Sequence, residues 1–109
     1  MNDAIVSEAM RQFFGGYFHQ DWDLEAKDWQ TAVDNFTIGE TSSELYSLAE
    51  EIDELCAAYR EEELRVVLLR RALSSYYPGP LTHHEWLKQV SERLRQHASA
   101  LEHGESPKH

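Results

Sequence analysis

The sequence is poor in cysteine, in basic residues and in long apolar runs, and each shortage excludes a class of protein. Cys56 is the single cysteine among 109 residues, so an intrachain disulfide and a cysteine-based metal site are both excluded. No apolar run approaches the roughly 20 residues that cross a bilayer. The first residues, Met1–Ala4, have neither the basic flank nor the apolar stretch of a signal peptide. We therefore expect a cytoplasmic protein.

Positive charge is scarce and unevenly distributed. Twenty acidic residues face ten Lys and Arg, for a net charge of −10. Residues 1–63 hold sixteen acids and three bases, whereas residues 64–109 hold four acids and seven bases. An acidic surface repels nucleic acids and attracts a basic protein. We therefore expect a protein partner, with no direct binding to nucleic acid or membrane, although acidity that only maintains solubility is the alternative.

Helical periodicity dominates the chain, and no convincing alternation predicts a strand. Capping boxes at Thr41–Glu44 and Thr82–Glu85 predict the starts of two helices. Three further helices are predicted over residues 3–14, 28–37 and 61–74, and Gly15-Gly16 is expected to end the first of them. The sequence thus predicts an all-α fold, a compact single-domain bundle or array of about five helices over residues 1–102, followed by a flexible polar tail over 103–109.

Apolar spacing on these helices predicts which side chains face the core. Ile5, Ala9 and Phe13 recur at every fourth position of the first helix, and Leu101 is expected to complete the apolar stripe of the last one. Cys56 lies beside the stripe of the third helix. We therefore interpret it as a buried structural thiol rather than as a nucleophile.

Residues 17–24, with the sequence YFHQDWDL, combine three aromatic side chains, a histidine and two carboxylates. A catalytic interpretation makes His19 a general base oriented by Asp21 or Asp23, and a metal site would use the same three side chains as ligands. Core packing of the aromatic residues and contact with a partner are the alternatives, and we favour core packing because no second cluster of ligands accompanies the segment.

The rest of the sequence offers little for catalysis. His83 and His84 are adjacent, so their side chains are expected to point in different directions on a helix. No metalloprotease spacing, phosphate-binding glycine loop or nucleophile elbow is present. We therefore predict no catalytic residue, no cofactor and no bound metal, and expect the protein to act by binding a partner rather than by catalysis.

The third and fourth predicted helices carry a dense acidic run. Like charges three or four residues apart destabilise a helix by a few tenths of a kcal/mol per pair, and basic partners at the fourth position are mostly absent. A solvated helix face explains most such runs, whereas a docking surface for a cationic groove is the functional alternative. The residues predicted to contact a partner are Asp21, Asp23, Glu50, Asp53, Glu54, Glu61 and Glu62.

The segment Tyr17–Leu24 resembles a signature of the CdiI-type immunity proteins of bacterial contact-dependent growth inhibition systems. Trp29, the Leu-rich helical middle, Tyr77-Pro78 and Glu85-Trp86-Leu87 fit the same pattern, so the resemblance covers nearly the whole chain. It implies a cytosolic helical protein with a conserved scaffold, in which the signature residues form the core. Those residues are Tyr17, Phe18, Trp22, Trp29 and Trp86.

The resemblance further implies that the partner is the C-terminal toxin domain of a cognate CdiA effector. Many such toxins are nucleases, with an RNase favoured, and binding would block the active site or the path of the substrate. The acidic surface agrees, because a nuclease site must be cationic to hold phosphates. When free, the protein is expected to be a monomer or a weak dimer. Two alternatives are an acidic adaptor or nucleic-acid mimic without a toxin partner, and a small metal-dependent hydrolase that uses His19, Asp21 and Asp23.

Overall fold

The computed structural model describes residues 7–18, 27–70 and 80–103. Within these ranges the chain forms five α-helices and no strand, which confirms the all-α prediction. No helix in the described ranges is both long enough and apolar enough to cross a membrane. The helices are α1 (Glu8–Tyr17), α2 (Trp29–Thr37), α3 (Ser42–Ala58), α4 (Glu61–Arg70) and α5 (His83–Glu102).

A side chain just before α1, α2, α3 and α5 accepts a hydrogen bond from one of the free N–H groups in the first turn. Both predicted capping boxes are confirmed: the Thr41 and Thr82 hydroxyls accept hydrogen bonds from the backbone N–H groups three residues later, and the glutamates there accept one in return. The hydroxyl of Ser7 caps α1, and the carboxylate of Asp28 caps α2. These contacts are local in sequence, which is why the starts of α3 and α5 could be predicted, and the predicted start of α2 at Asp28 lies one residue early, on its cap.

Helix α5 is the centre of the fold. It packs most extensively on α3 and also contacts α2 and α4. The two long helices are antiparallel: the Tyr46 hydroxyl near the start of α3 donates to Glu102 at the end of α5 (3.1 Å). The buried side chains of α5 recur at helical spacing along one face and are His83, Trp86, Leu87, Val90, Ser91, Leu94 and Ala98.

An aromatic cluster joins α1 and α2 to α5. Phe13 lies 4.8 Å from Phe36 of α2, and Phe18 and Trp29 lie 5.1 and 6.4 Å from Trp86 of α5, measured between ring centroids in T-shaped arrangements. Phe18 and Trp86 are fully buried, while Tyr17 and Trp29 are partly buried against the core. The structure therefore places four of the five signature aromatics in or against the core, and Trp22 lies outside the described residues.

The predicted boundaries of the first helix were wrong. Ser7 is extended and caps the helix, so α1 starts at Glu8, and it continues through Gly15-Gly16 to Tyr17 instead of ending at residue 14. Each glycine destabilises a helix by only about 1 kcal/mol relative to alanine. Continuing the helix through both of them brings Phe18 into the core, where it is fully buried.

Two of the predicted core positions are also wrong. Ala9 is exposed, because the buried face of α1 is formed by Met10, Phe13 and Phe14. Leu101 is 45% exposed, since it lies near the last turn of α5, beyond the last buried residue of that helix. Ile5, residues 71–74 of the predicted fourth helix and residues 104–109 of the predicted tail lie outside the described residues.

The buried and exposed leucines of α5 provide a matched test of this packing. Leu94→Ala should lower the free energy of unfolding by about 2–5 kcal/mol, because it opens a cavity in the core. Leu101→Ala makes the same chemical change on the same helix but should change stability by no more than about 0.5 kcal/mol. Urea unfolding followed by circular dichroism measures both values. Equal effects of the two substitutions would contradict the central position of α5.

Candidate functional site

The seven residues predicted to contact a partner divide into three groups in the structure. Asp21 and Asp23 lie outside the described residues, as does His19. Glu50, Glu54 and Glu62 are exposed, and within the described residues they make no hydrogen bond or ion pair. Asp53 and Glu61 are engaged in contacts inside the fold.

Glu50 and Glu54 lie one helical turn apart on the outer face of α3. The opposite face of this helix is apolar and buried, with Leu48, Ile52 and Leu55 among its core side chains. Because residues four positions apart lie on the same helix face, the two carboxylates project to the same side. No basic side chain of the described residues neutralises them. Their charge is therefore available to a partner.

Asp53 connects α3 to α5 instead of standing free. Arg95 donates from Nη1 to Oδ2 of Asp53 (2.7 Å) and from the same nitrogen to the hydroxyl of Ser91 (2.6 Å). The Ser91 hydroxyl donates in turn to the Ala49 carbonyl oxygen. The ion pair is close to half exposed, so its contribution to stability is modest. Its geometric effect is to hold the middle of α3 against α5.

Glu61 occupies the N-terminus of α5 although it belongs to α4. Its Oε2 accepts from the backbone N–H (2.7 Å) and from Nδ1 (2.8 Å) of His83, and its Oε1 accepts from the backbone N–H of His84 (3.0 Å). A helix start carries free N–H groups and a partial positive charge, so a carboxylate is well suited to this position. Glu61 therefore joins α4 to the first turn of α5.

His83 and His84 do not point apart as predicted. The Nδ1 atoms of both rings contact the same Glu61 carboxylate, at 2.8 and 3.3 Å. The cause is a tertiary contact: Glu61 of α4 lies at the start of α5, where the first two side chains of that helix can both reach it. The Nε2 atom of His84 lies 3.0 and 2.8 Å from the carbonyl oxygens of Cys56 and Tyr59, and it must donate because carbonyls only accept. His84 thus also satisfies free carbonyls at the end of α3.

The pKa values of two groups at this junction are shifted, that of Glu61 by hydrogen bonds and that of Cys56 mainly by burial. Burial alone would raise the pKa of Glu61, but the hydrogen bonds from His83 and His84 outweigh it and lower this pKa to about 2. Burial, together with the negative charges of Asp53 and Glu61, raises the pKa of the half-buried Cys56 thiol to about 11. Cys56 therefore remains protonated at neutral pH, which agrees with the interpretation of this residue as a structural thiol.

A polar network that the sequence did not reveal joins α2 to α5. Both oxygens of Asp34 accept from Arg93, at 2.8 Å each, and Oδ1 also accepts from Nε2 of His97 (2.7 Å). The Arg93 hydrogen bonds outweigh burial and lower the pKa of Asp34. Arg93 and His97 are four residues apart, so the sequence could have indicated that they lie on the same face of α5. Their shared acceptor could not be found in this way, because Asp34 lies about sixty residues earlier in the chain.

No arrangement of metal-ligating side chains accompanies these networks in the ranges that the structure describes. Specifically, no group of three or more His, Cys, Asp or Glu side chains there is placed to hold a metal ion. The carboxylates of Asp34, Asp53 and Glu61 are engaged in these networks, whereas those of Glu50, Glu54 and Glu62 have no partner within the described residues and are the available part of the candidate surface.

Comparison with protein families identifies a match over most of the chain. The family model described as CdiI immunity protein matches residues 7–94, a range that includes α1 to α4 and the first twelve residues of α5. No curated protein and no solved structure matches the sequence.

Replacing Glu61 with glutamine should reveal its role at the junction. Near neutral pH, Glu61→Gln should lower the free energy of unfolding by about 1–2 kcal/mol, because an amide nitrogen would replace one of the two acceptor oxygens. The folded-state pKa of Glu61 is depressed, so its stabilising contribution is present above the ordinary value of 4.5 and is lost as the pH falls towards about 2. The unfolding free energies of wild type and variant should converge over that interval.

The matched control is Glu62→Gln, which neutralises the adjacent, exposed carboxylate. Its stability should stay within about 1 kcal/mol of the wild type, since Glu62 makes no hydrogen bond or ion pair within the described residues and loses only its interaction with the positive end of α4. A gap between wild type and Glu61→Gln that stays constant down to pH values near 2 would contradict the assigned role.

Proposed function

The chain belongs to the CdiI immunity protein family, and from this premise we propose that it binds and neutralises the C-terminal toxin domain of a cognate CdiA effector in the cytoplasm. The family match over residues 7–94 is the observation that carries the proposal. The family implies an immunity protein that neutralises a toxin. The nuclease nature of the toxin, with an RNase favoured, and the way in which it is blocked are further parts of the proposal.

Charge supports a nuclease as the partner. A nuclease binds phosphates with basic side chains, so its active site has a positive potential. The net charge of −10 steers this protein towards such a site, and the carboxylates of Glu50, Glu54 and Glu62, which have no partner in the described part of the chain, would pair with its cations. Asp21 and Asp23 stay candidate contacts. Asp53 and Glu61 are weaker candidates, because pairing with the toxin would compete with their contacts to α5.

An inhibitor that pairs its carboxylates with the cations of the active site neutralises the toxin by binding alone, without a chemical step. An inhibitor that covers the cationic site excludes the nucleic acid by occupying its path and by matching its negative charge. Electrostatic steering raises the association rate, which suits a protein that must capture its toxin before the toxin reaches its substrate. The acidic face of α3 and the start of α4 would then lie over the active site.

Co-expression with the toxin domain encoded immediately upstream tests this function. Cells that produce the toxin alone should stop growing, and cells that also produce this protein should grow normally. The two purified proteins should elute together in gel filtration, and the complex should survive moderate salt because apolar packing adds to electrostatics. Continued growth arrest with no complex would exclude the immunity function. Binding to many basic proteins that moderate salt abolishes would instead favour the acidic adaptor.

A charge reversal on α3 tests the proposed direction of approach. Glu54→Lys should slow association with the toxin several-fold at low salt, and the effect should shrink as salt screens the charges. Glu92→Lys is the matched control, because it makes the same change at an exposed residue of α5 that also lacks an ion pair within the described residues. Association rates from surface plasmon resonance provide the comparison. Equal slowing by both variants would show that only net charge matters and would refute the assigned face.

A further inference from the structure

Helix α4 has apolar side chains on two opposite faces, although it is not enclosed by the fold. Its inner face packs Leu64, Val67 and Leu68 into the core. On its outer side Val66 is 43% exposed and Leu69 is 50% exposed. A helix at the surface of a monomer ordinarily presents polar side chains to water. The outer face of α4 is therefore unexplained by folding alone.

The exposed apolar side chains of α4 form a continuous stripe with an acidic residue at its start. Glu62, Val66 and Leu69 follow each other at intervals of four and three residues, so they align along one face. At 100° per residue this face is opposite to the buried one. We call these three residues the outer stripe. Its spacing is that of helices that bind through one face to a groove in another protein.

The other large exposed hydrophobic side chains of the described residues do not form such a stripe. Ile38 follows the last residue of α2, and Leu101 lies near the end of α5. Single exposed hydrophobic residues are normal on protein surfaces, whereas neighbouring ones along a helix form a patch that can bind. The outer stripe thus differs from Ile38 and Leu101 because its exposed apolar side chains are neighbours on one helix face.

Charge identifies the kind of molecule that fits this stripe. A second copy of the chain also carries a net charge of −10, and nucleic acids and anionic membranes are negative, so long-range electrostatics disfavours all three. Glu62 and Glu63 place negative charge at the start of the stripe, whereas Arg65 and Arg70 border its later part. The surface that complements the start of α4 has an apolar pocket with basic side chains around it, and acidic groups are needed only where Arg65 and Arg70 lie. A basic protein domain provides both.

We infer that the outer stripe of α4 is the apolar anchor that holds the toxin, an inference that rests on the proposed function and names the surface by which it acts. The acidic residues of α3 and α4 attract the toxin and set the association rate, while Val66 and Leu69 fill an apolar pocket and set the dissociation rate. A depression of about 320 Å³, lined by Glu62, Arg65 and Leu81 among others, adjoins the stripe and offers space for a side chain of the toxin.

The double variant Val66→Ala/Leu69→Ala tests the anchor. Alanine favours the helix, and both positions are exposed, so the fold should be retained, as circular dichroism would verify. Its dissociation constant for the purified cognate toxin domain should rise at least about 30-fold, mainly through faster dissociation. The control Ile38→Ala/Leu101→Ala removes a similar number of exposed apolar atoms and should bind like the wild type. Surface plasmon resonance measures both rates.

The outcomes separate this inference from the function on which it rests. Absence of toxin binding by the wild type would refute the proposed function itself. Tight binding by the wild type and unchanged binding by Val66→Ala/Leu69→Ala would refute the anchor and leave the function standing. Equal weakening by the control would also overturn the anchor. A wild-type dimer that the same variant converts to a monomer in analytical ultracentrifugation, with toxin binding unchanged, would assign the stripe to self-association instead.

Discussion

The position of α5 is determined by an apolar face combined with polar contacts at both ends and in the middle. Its buried side chains provide the free energy, but apolar packing alone permits a helix to slide or rotate. Glu61 holds the first turn, Asp34 holds the middle through Arg93 and His97, and Tyr46 contacts Glu102 at the end. Each contact comes from a different helix, so the register of α5 also sets where α2, α3 and α4 lie.

Features that depend on neighbouring residues could be predicted from the sequence, and features that depend on distant ones could not. The capping boxes at Thr41 and Thr82 are local hydrogen-bond patterns, and the helical periodicity that predicted the all-α fold is local as well. The continuation of α1 through Gly15-Gly16 depends instead on burying Phe18 against Trp86, nearly seventy residues away. The Asp34 network was missed for the same reason, since its partners lie on α5.

In the candidate surface too, the roles of single residues depend on contacts with distant parts of the chain. Glu61 and Glu62 are chemically identical neighbours in the sequence, and both were predicted as contacts. The structure separates them: one carboxylate accepts hydrogen bonds from the first turn of α5, and the other is exposed without an ion pair within the described residues. Charge density indicated the acidic surface, but only the packing of α4 against α5 shows which of its carboxylates are available. The family resemblance came from residues 17–24, whose acidic members lie outside the described part of the chain.

The inner and outer faces of α4 differ in how freely their residues can be substituted. Its inner side chains can change only together with the core that surrounds them, because each substitution there alters packing. Val66 and Leu69 have large exposed fractions, and Glu62 makes no hydrogen bond or ion pair within the described residues, so these three positions can drift while the fold persists. A single helix thereby combines an inherited scaffold with a surface that is free to diversify. Under the proposed anchoring role, substitutions at these three positions would change which toxin is bound and leave the core of the fold unaltered.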